Sequence, residues 1–193
     1  MTPPPQPAVG PEPSQCWISV DVETAGPNPG DYPLLSIGAC LYDDPATGFI
    51  IELKPDRPGR DASALAVAGL DPEELALRGT EPAEALAAFE AWVQQAAGDR
   101  APILVGFNAV FDWMFVCEYF HRYLRRNPFG HAAIDIKAVA MAHLGIPWSE
   151  TSFPRLAARL GAITPVLSHH ALQDARDQAT LLRTLLGVHN VVP

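Results

Sequence analysis

Asp21 and Glu23 stand two apart in WISVDVE, Asp112 closes the stretch GFNAVFD, and His169, His170 and Asp174 fall within SHHALQD. Carboxylates gathered in one place repel one another and lose hydration, so a fold keeps such a cluster mainly where cations compensate it. No one of the three islands means much alone. In this order, each near the boundary of a regular element, the acids and a histidine describe a two-metal phosphodiesterase site, with the cations flanking the bond that is cut.

The elements that must position these groups can be read from pattern. Side chains on a strand alternate, so Asp21 and Glu23 leave one face of WISVDVE while Val22 points the other way. Two solvent-facing acids on an edge strand would be the plain reading of Asp-x-Glu alone. The apolar surroundings instead predict a buried central strand, where adjacent acids are costly without a cation. Asp112 lies five residues past the end of ILVGF, in the first turn of the helix that follows. A dipole-stabilising acid is its ordinary role there, yet the same turn sets it over the carboxyl edge of the sheet, where ligands bind in open α/β folds. Asn108 is the natural N-cap of that helix, and Phe111 is a core aromatic before it is a base-stacking one. Asp174 opens the last helix, and His170, four residues before it, would share its face on a continuous helix. A helix starting at Ala171 would leave His169 on the incoming loop. Spacing does not choose between the two, and an imidazole near a metal-bound water is a reasonable general base.

Around these islands the chain predicts strands over 17–23, 34–41 and 49–53, a loop-rich stretch over 54–80 with a short helical piece at 62–69, and a helix after Thr80. Thr80 would cap that helix, and Leu86, Phe89, Ala91 and Trp92 would form its buried side. A strand at 103–107, a helix at 110–126, a strand at 133–136 and helices to His143, over 153–160 and over 172–186 follow. A three-strand meander followed by strand–helix units makes an α/β fold, a mixed central sheet with helices on both sides.

The 193 residues suit one domain with a substantial core. We expect a Pro-rich tail over 1–15, the domain over 16–187 and a short tail over 188–193. Six prolines in the first 13 positions predict a disordered or polyproline II leader, open to a docking role though more simply a solvated one. That leader has no basic segment followed by an apolar one, so no secretory signal is expected. No apolar run is long enough to span a bilayer, so no membrane partner is expected. Cys16, Cys40 and Cys117 are well separated, which argues against a disulfide framework or a zinc site and for a reducing cytoplasm. The net charge of −9 argues against a broad basic face for gripping long duplex, although acidic bulk charge is also common among soluble enzymes. Arg122, Arg125 and Arg126 lie roughly 15–20 Å along their helix from Asp112, too far to touch a phosphate there. Contact with nucleic acid is then short, routed through cations and through stacking of a base or two.

Together DVET, NAVFD and HHALQDA resemble the DEDDh, DnaQ-like branch of 3′–5′ exonucleases in the ribonuclease H-like superfamily, over about residues 16–187. The family pattern H-x-A-L-x-D-A selects His169, with Ala171, Leu172 and Ala175 also fitting. The resemblance implies that Asp21, Glu23, Asp112 and Asp174 hold two divalent cations, Mg2+ or Mn2+, and that His169 deprotonates the attacking water. It implies a substrate with a single-stranded 3′ end, DNA or RNA, shortened to nucleoside 5′-monophosphates, with substrate contacts near Thr24, Asn108 and Phe111. No tyrosine lies near Asp174, which separates the chain from the tyrosine-bearing sister class. Where many members carry His-Gly-Ile, this chain has Ala68-Gly69-Leu70, a segment that helps hold substrate. Asp135, Lys137 and Asp177 are left as capping or surface residues, and a homodimer is left open. Two rivals stand beside this reading. A non-catalytic nucleic-acid-binding or scaffold module on the same fold would have lost a site acid. A metal-dependent phosphatase would have no need of the HxALxDA spacing.

Overall fold

Strict alternation in β1, Gln15–Thr24, sorts its side chains between two cores. Cys16, Ile18, Val20 and Val22 enter one and Trp17 enters the other. The computed structural model describes residues 10–161 and 168–187. Of the tail expected over 1–15, residues 1–9 lie outside the described residues and Gln15 already belongs to β1, and the tail expected over 188–193 lies outside the described residues.

β1 is the middle strand of five, in the order β3-β2-β1-β4-β5. β2 (Leu34–Leu41) and β3 (Gly48–Glu52) continue it as an antiparallel meander. β4 (Ala101–Gly106) and β5 (Ala133–Asp135) run parallel to it on the other side. The mixed sheet is thus as expected, and so is the helical cover on both faces. α3 (Pro82–Ala97) and α4 (Val110–Leu124) close the core that receives Val20 and Val22. Phe89 of α3 is its hub, with ring centroids 5.3 Å from Phe49, 5.7 Å from Phe120 and 6.0 Å from Phe129. Aromatic pairs at such offsets add to the burial of the rings themselves. On the opposite face α5 (Ile136–Leu144), α6 (Phe153–Leu160) and α7 (Ala171–Gly187) pack over Trp17 and Val105.

Three local expectations are corrected. The stretch 54–80 holds two short helices, α1 (Ala62–Ala68) and α2 (Pro72–Arg78), where one was expected. α2 is too short for a helical period, but Asp71 caps it, accepting from the Glu73 N–H at 2.8 Å, with Pro72 in its first turn. Thr80 does not cap α3: its backbone bridges Leu53, donating to the Glu52 carbonyl and accepting from the Lys54 N–H. Ala91 is exposed, and Ala85 and Val93 complete the buried stripe of α3 with Leu86 and Phe89.

Candidate active site

Register places Asp21 opposite Gly38 of β2, and that glycine lets the site close. A Cβ on Gly38 would meet the backbone carbon of Ala171 and nitrogen of Leu172 at 2.1 Å. Any side chain there would lift the start of α7 off the sheet. With glycine, the helix sits directly on the face that carries Asp21 and Glu23 and delivers Asp174 beside them. The loop entering α7 folds back onto that carboxylate. The Ser168 N–H and hydroxyl donate to Oδ1 of Asp174 at 2.7 and 2.8 Å, and the His169 N–H donates to Oδ2 at 2.9 Å. His169 reaches this position with φ of 56°, a left-handed backbone uncommon for a residue with a side chain.

Asp112 arrives from the other side. Pairing of β1 with β4 ends at Ser19 and Val105, so the Val22 N–H has lost its ladder. Asp112 Oδ1 accepts from it at 3.0 Å, which ties the first turn of α4 to the carboxyl end of β1. Asn108 is not the cap of α4. It takes a left-handed φ of 61° and turns the chain, and Ala109 holds the cap position without a side-chain hydrogen bond. Asn tolerates that conformation better than most residues.

Sequence reasoning missed Gln178, which is fully buried. Its Nε2 donates to Asp21 Oδ1 at 2.6 Å, and its Oε1 accepts from the Phe107 N–H at 2.9 Å. One side chain therefore links α7, the acid on β1 and the end of β4. The signal was present: Gln178 lies four residues after Asp174, on the same helix face.

The acids meet in a cleft of about 470 Å³ lined also by His169, Thr24, Asn108, Phe107 and Phe111, with Asp61, Ser63, Ala64 and Val67 along its far wall. No lysine or arginine is among its lining residues. Burial, and then the charges of Asp112, Glu23 and Asp174, push the Asp21 carboxyl well above the usual range, against the opposing hydrogen bond from Gln178. Burial, with Asp174 and Asp112 adding to it, raises Glu23 to about 8. Burial also raises Asp112 to about 7, although the Val22 N–H works the other way. Such shifts mark groups whose charge lacks a counter-charge. Glu23, His169 and Asp174 each offer a ligand atom within 4.8 Å of the others, a spacing one cation could bridge. Oxygen donors in excess with a single imidazole suit a hard divalent ion better than zinc. The residues present therefore fit divalent cations.

The predicted residues divide cleanly. Asp21, Glu23, Asp112, His169 and Asp174 are brought together, while His170 is exposed, is not among the residues lining the cleft, and offers its carbonyl to the Asp174 N–H. Thr24 lines the cleft, but its hydroxyl is occupied, donating to the Gly26 carbonyl at 2.9 Å. Phe111 both lines the cleft and packs on Phe115, ring centroids 5.2 Å apart. Ala68-Gly69-Leu70 ends α1: Gly69 takes a left-handed φ of 63°, and Leu70 packs in a small cluster with Ala25, Leu35 and Leu75. Asp135 caps α5 as expected, accepting from the Ala138 N–H at 3.0 Å.

No family model matches the chain. It is 41% identical over 172 residues to Cap18, a 3′–5′ DNA exonuclease of Escherichia coli, covering 89% of this chain and 91% of that protein. Its fold superposes on the nuclease domain of 3′hExo, a DEDDh family member bound to rAMP, with a TM-score of 0.69 at 15% identity over 91% of this chain and 92% of that one. The zinc-bound E. coli ExoI–ssDNA complex gives a TM-score of 0.72 at 18% identity, over 90% of this chain and 41% of ExoI.

Proposed function

The chain belongs to the DEDDh family of 3′–5′ exonucleases, on the ribonuclease H-like fold, and from that premise we propose that it shortens DNA carrying a single-stranded 3′ end and releases nucleoside 5′-monophosphates. The observation that supports this most is the convergence of Asp21, Glu23, Asp112 and Asp174, with His169, in one cleft whose lining includes no lysine or arginine. A DNA substrate follows the 41% identical relative, itself a DNA exonuclease.

In this reading Asp21, Glu23, Asp112 and Asp174 hold two divalent cations, Mg2+ or Mn2+. Bound there, the ions would make water a better nucleophile and stabilise charge on the leaving oxygen. The chain's own residues do the rest. His169 accepts the proton of the attacking water at its imidazole. The Ser168 hydroxyl and two backbone N–H groups fix the Asp174 carboxylate against rotation, and Gln178 does the same for one oxygen of Asp21. Phe107, Phe111 and Val67 provide apolar surface for a terminal base, while Thr24 and Asn108 line the path of the chain end.

The test incubates the protein with 5′-labelled DNA and RNA oligonucleotides of matched sequence in Mg2+, Mn2+ or EDTA. Stepwise shortening from the 3′ end, faster on DNA and abolished by EDTA, is expected. Faster shortening of RNA overturns the substrate assignment, and undiminished cleavage by Asp21→Ala overturns the site. His169→Ala should lose far more activity than His170→Ala; the reverse order would reassign the base.

A further inference from the structure

The acids of the cleft draw in cations, but nothing in the cleft itself attracts the rest of a polyanionic strand. Elsewhere six of the thirteen lysines and arginines are ion-paired with carboxylates. Arg126 is held by Glu90, Arg155 by Glu150, Arg78 by Glu52 and Lys54 by Glu81. Lys137, in the first turn of α5, differs. Among the described residues it forms no ion pair, and its neighbours are rings. Its Nζ lies 4.2 Å from the ring centroid of Trp148 and 5.9 Å from that of Phe107. Ring quadrupoles position an ammonium without cancelling its charge. The nearby acids are already engaged: Asp135 caps α5, and Glu150 takes Arg155.

Phe107 joins this group to the reaction centre, because the same ring lines the acidic cleft and its backbone N–H is tied through Gln178 to Asp21. Trp148 is 51% exposed, although the other face-forming tryptophan of this side, Trp17, is 7% exposed. It is also rigidly presented. It begins the 3-10 turn Trp148–Glu150, and the fully buried Thr151 donates both its N–H, at 3.1 Å, and its hydroxyl, at 2.7 Å, to the Trp148 carbonyl. An open indole on an anchored turn beside an unneutralised ammonium is the pair of groups that binds a single strand without reading its sequence: a ring for a base and a cation for a phosphate.

We propose that Lys137 and Trp148 form a subsite for an upstream nucleotide of the single strand, its base stacked on the indole and its phosphate on the ammonium. The subsite rests on the exonuclease reading above for its role in the reaction, and on its own geometry for binding. It gives an acidic enzyme a hold on the strand upstream of the two nucleotides joined by the cut bond, and it makes efficiency depend on substrate length.

The experiment compares wild type, Trp148→Ala, Trp148→Phe and Lys137→Ala with Mg2+ on a dinucleotide and on a longer 5′-labelled single strand. Stacking on one aromatic predicts that Trp148→Ala raises KM on the longer strand by about tenfold. The loss on the dinucleotide should be far smaller, and Trp148→Phe should recover most of it. For Lys137→Ala, the slope of log affinity against log salt should become shallower by about 0.7. Equal losses on both substrates, or none, would overturn the subsite in favour of a packing role. Binding is read separately, as the part of strand-induced fluorescence quenching that Trp148→Phe removes. If no such part exists, the subsite is wrong even where the strand is shortened. Quenching without shortening by wild type supports the subsite and overturns the exonuclease reading instead.

Discussion

Buried carboxylates occur in two regions of this molecule and are treated in opposite ways. On the α3–α4 side, Glu90 is 6% exposed and receives both arms of Arg126, each at 2.6 Å, which lowers its carboxyl below the usual range. Asp56 nearby accepts from the Tyr119 and Tyr123 hydroxyls at 2.5 Å each, with Arg57 3.6 Å away. At the carboxyl end of β1 the same chain gathers Asp21, Glu23, Asp112 and Asp174 with hydrogen bonds but no lysine or arginine in the cleft lining, and the carboxyls of Asp21, Glu23 and Asp112 are driven up. The fold can supply counter-charge where it needs to. Its omission at one place fits the proposal that cations supply the counter-charge from outside.

The largest expected effect breaks the contrast at Asp21. Asp21→Asn should reduce exonuclease activity by more than about a hundredfold, beyond what loss of a partner behind a metal ligand usually costs. The same change removes a repulsive charge, so the metal-free protein should melt at a higher temperature than wild type. A lower melting temperature would mean that the acids stabilise one another through contacts that the hydrogen bonds do not reveal.

Cations themselves probe the region as a whole. Glu23 and Asp112 have folded-state pKa values raised to about 8 and about 7, above their ordinary values of 4.5 and 3.8. Folding therefore favours their protonated forms. Their contribution is fully present below the ordinary values and is lost as pH rises towards 8. Cation binding requires the ionised forms and should reverse that loss. Mg2+ at a hundredfold excess over its dissociation constant stabilises by about 2.7 kcal/mol. The resulting gain in Tm should be greater at pH 8 than at pH 6, and an equal or smaller gain at pH 8 would remove the carboxylates from the account. Gln178→Leu should act in the same direction on a smaller scale, raising the Mg2+ needed for half-maximal activity by about 10- to 100-fold. An unchanged metal requirement would reduce Gln178 to a packing residue.

Much of this arrangement was legible in the sequence because it rests on short-range periodicity. The period of two in WISVDVE puts Asp21 and Glu23 on one face, and the apolar runs mark β1 and β4 as interior strands. What stayed hidden depends on distant segments meeting. Gly38 matters only once α7 lies on β2, and Gln178 only once α7, β1 and β4 converge. His169 and His170 could not be separated by spacing, since the choice turns on a left-handed residue just before α7. Asn108 looked like a cap because its type suits one, yet the turn into α4 used its tolerance of positive φ instead. The Thr80 expectation failed similarly, a good capping residue drawn into a bridge with Leu53. For α2 the cause is local: Asp71, Pro72 and the acids after it were a readable start signal, but seven residues are too few for a helical period to stand out.

The smallest effect is the most direct control on the comparison, because it alters a carboxylate that the chain neutralises for itself. Glu90→Gln keeps the shape of the side chain and removes its charge, leaving the Arg126 guanidinium without its bidentate partner. Arg126 is 65% exposed at its side chain, so water takes over part of that role, and the loss should be small beside the cost of stranding a fully buried ion. Tm should fall by a few degrees for a domain of this size, with exonuclease activity close to wild type, since Glu90 lies on α3 outside the acidic cleft. The charge-neutralising changes at Asp21 and Glu90 should thus move metal-free stability in opposite directions. If both lowered it, local hydrogen bonds and not counter-charge would govern the buried carboxylates in both regions, and the distinction between them would be lost.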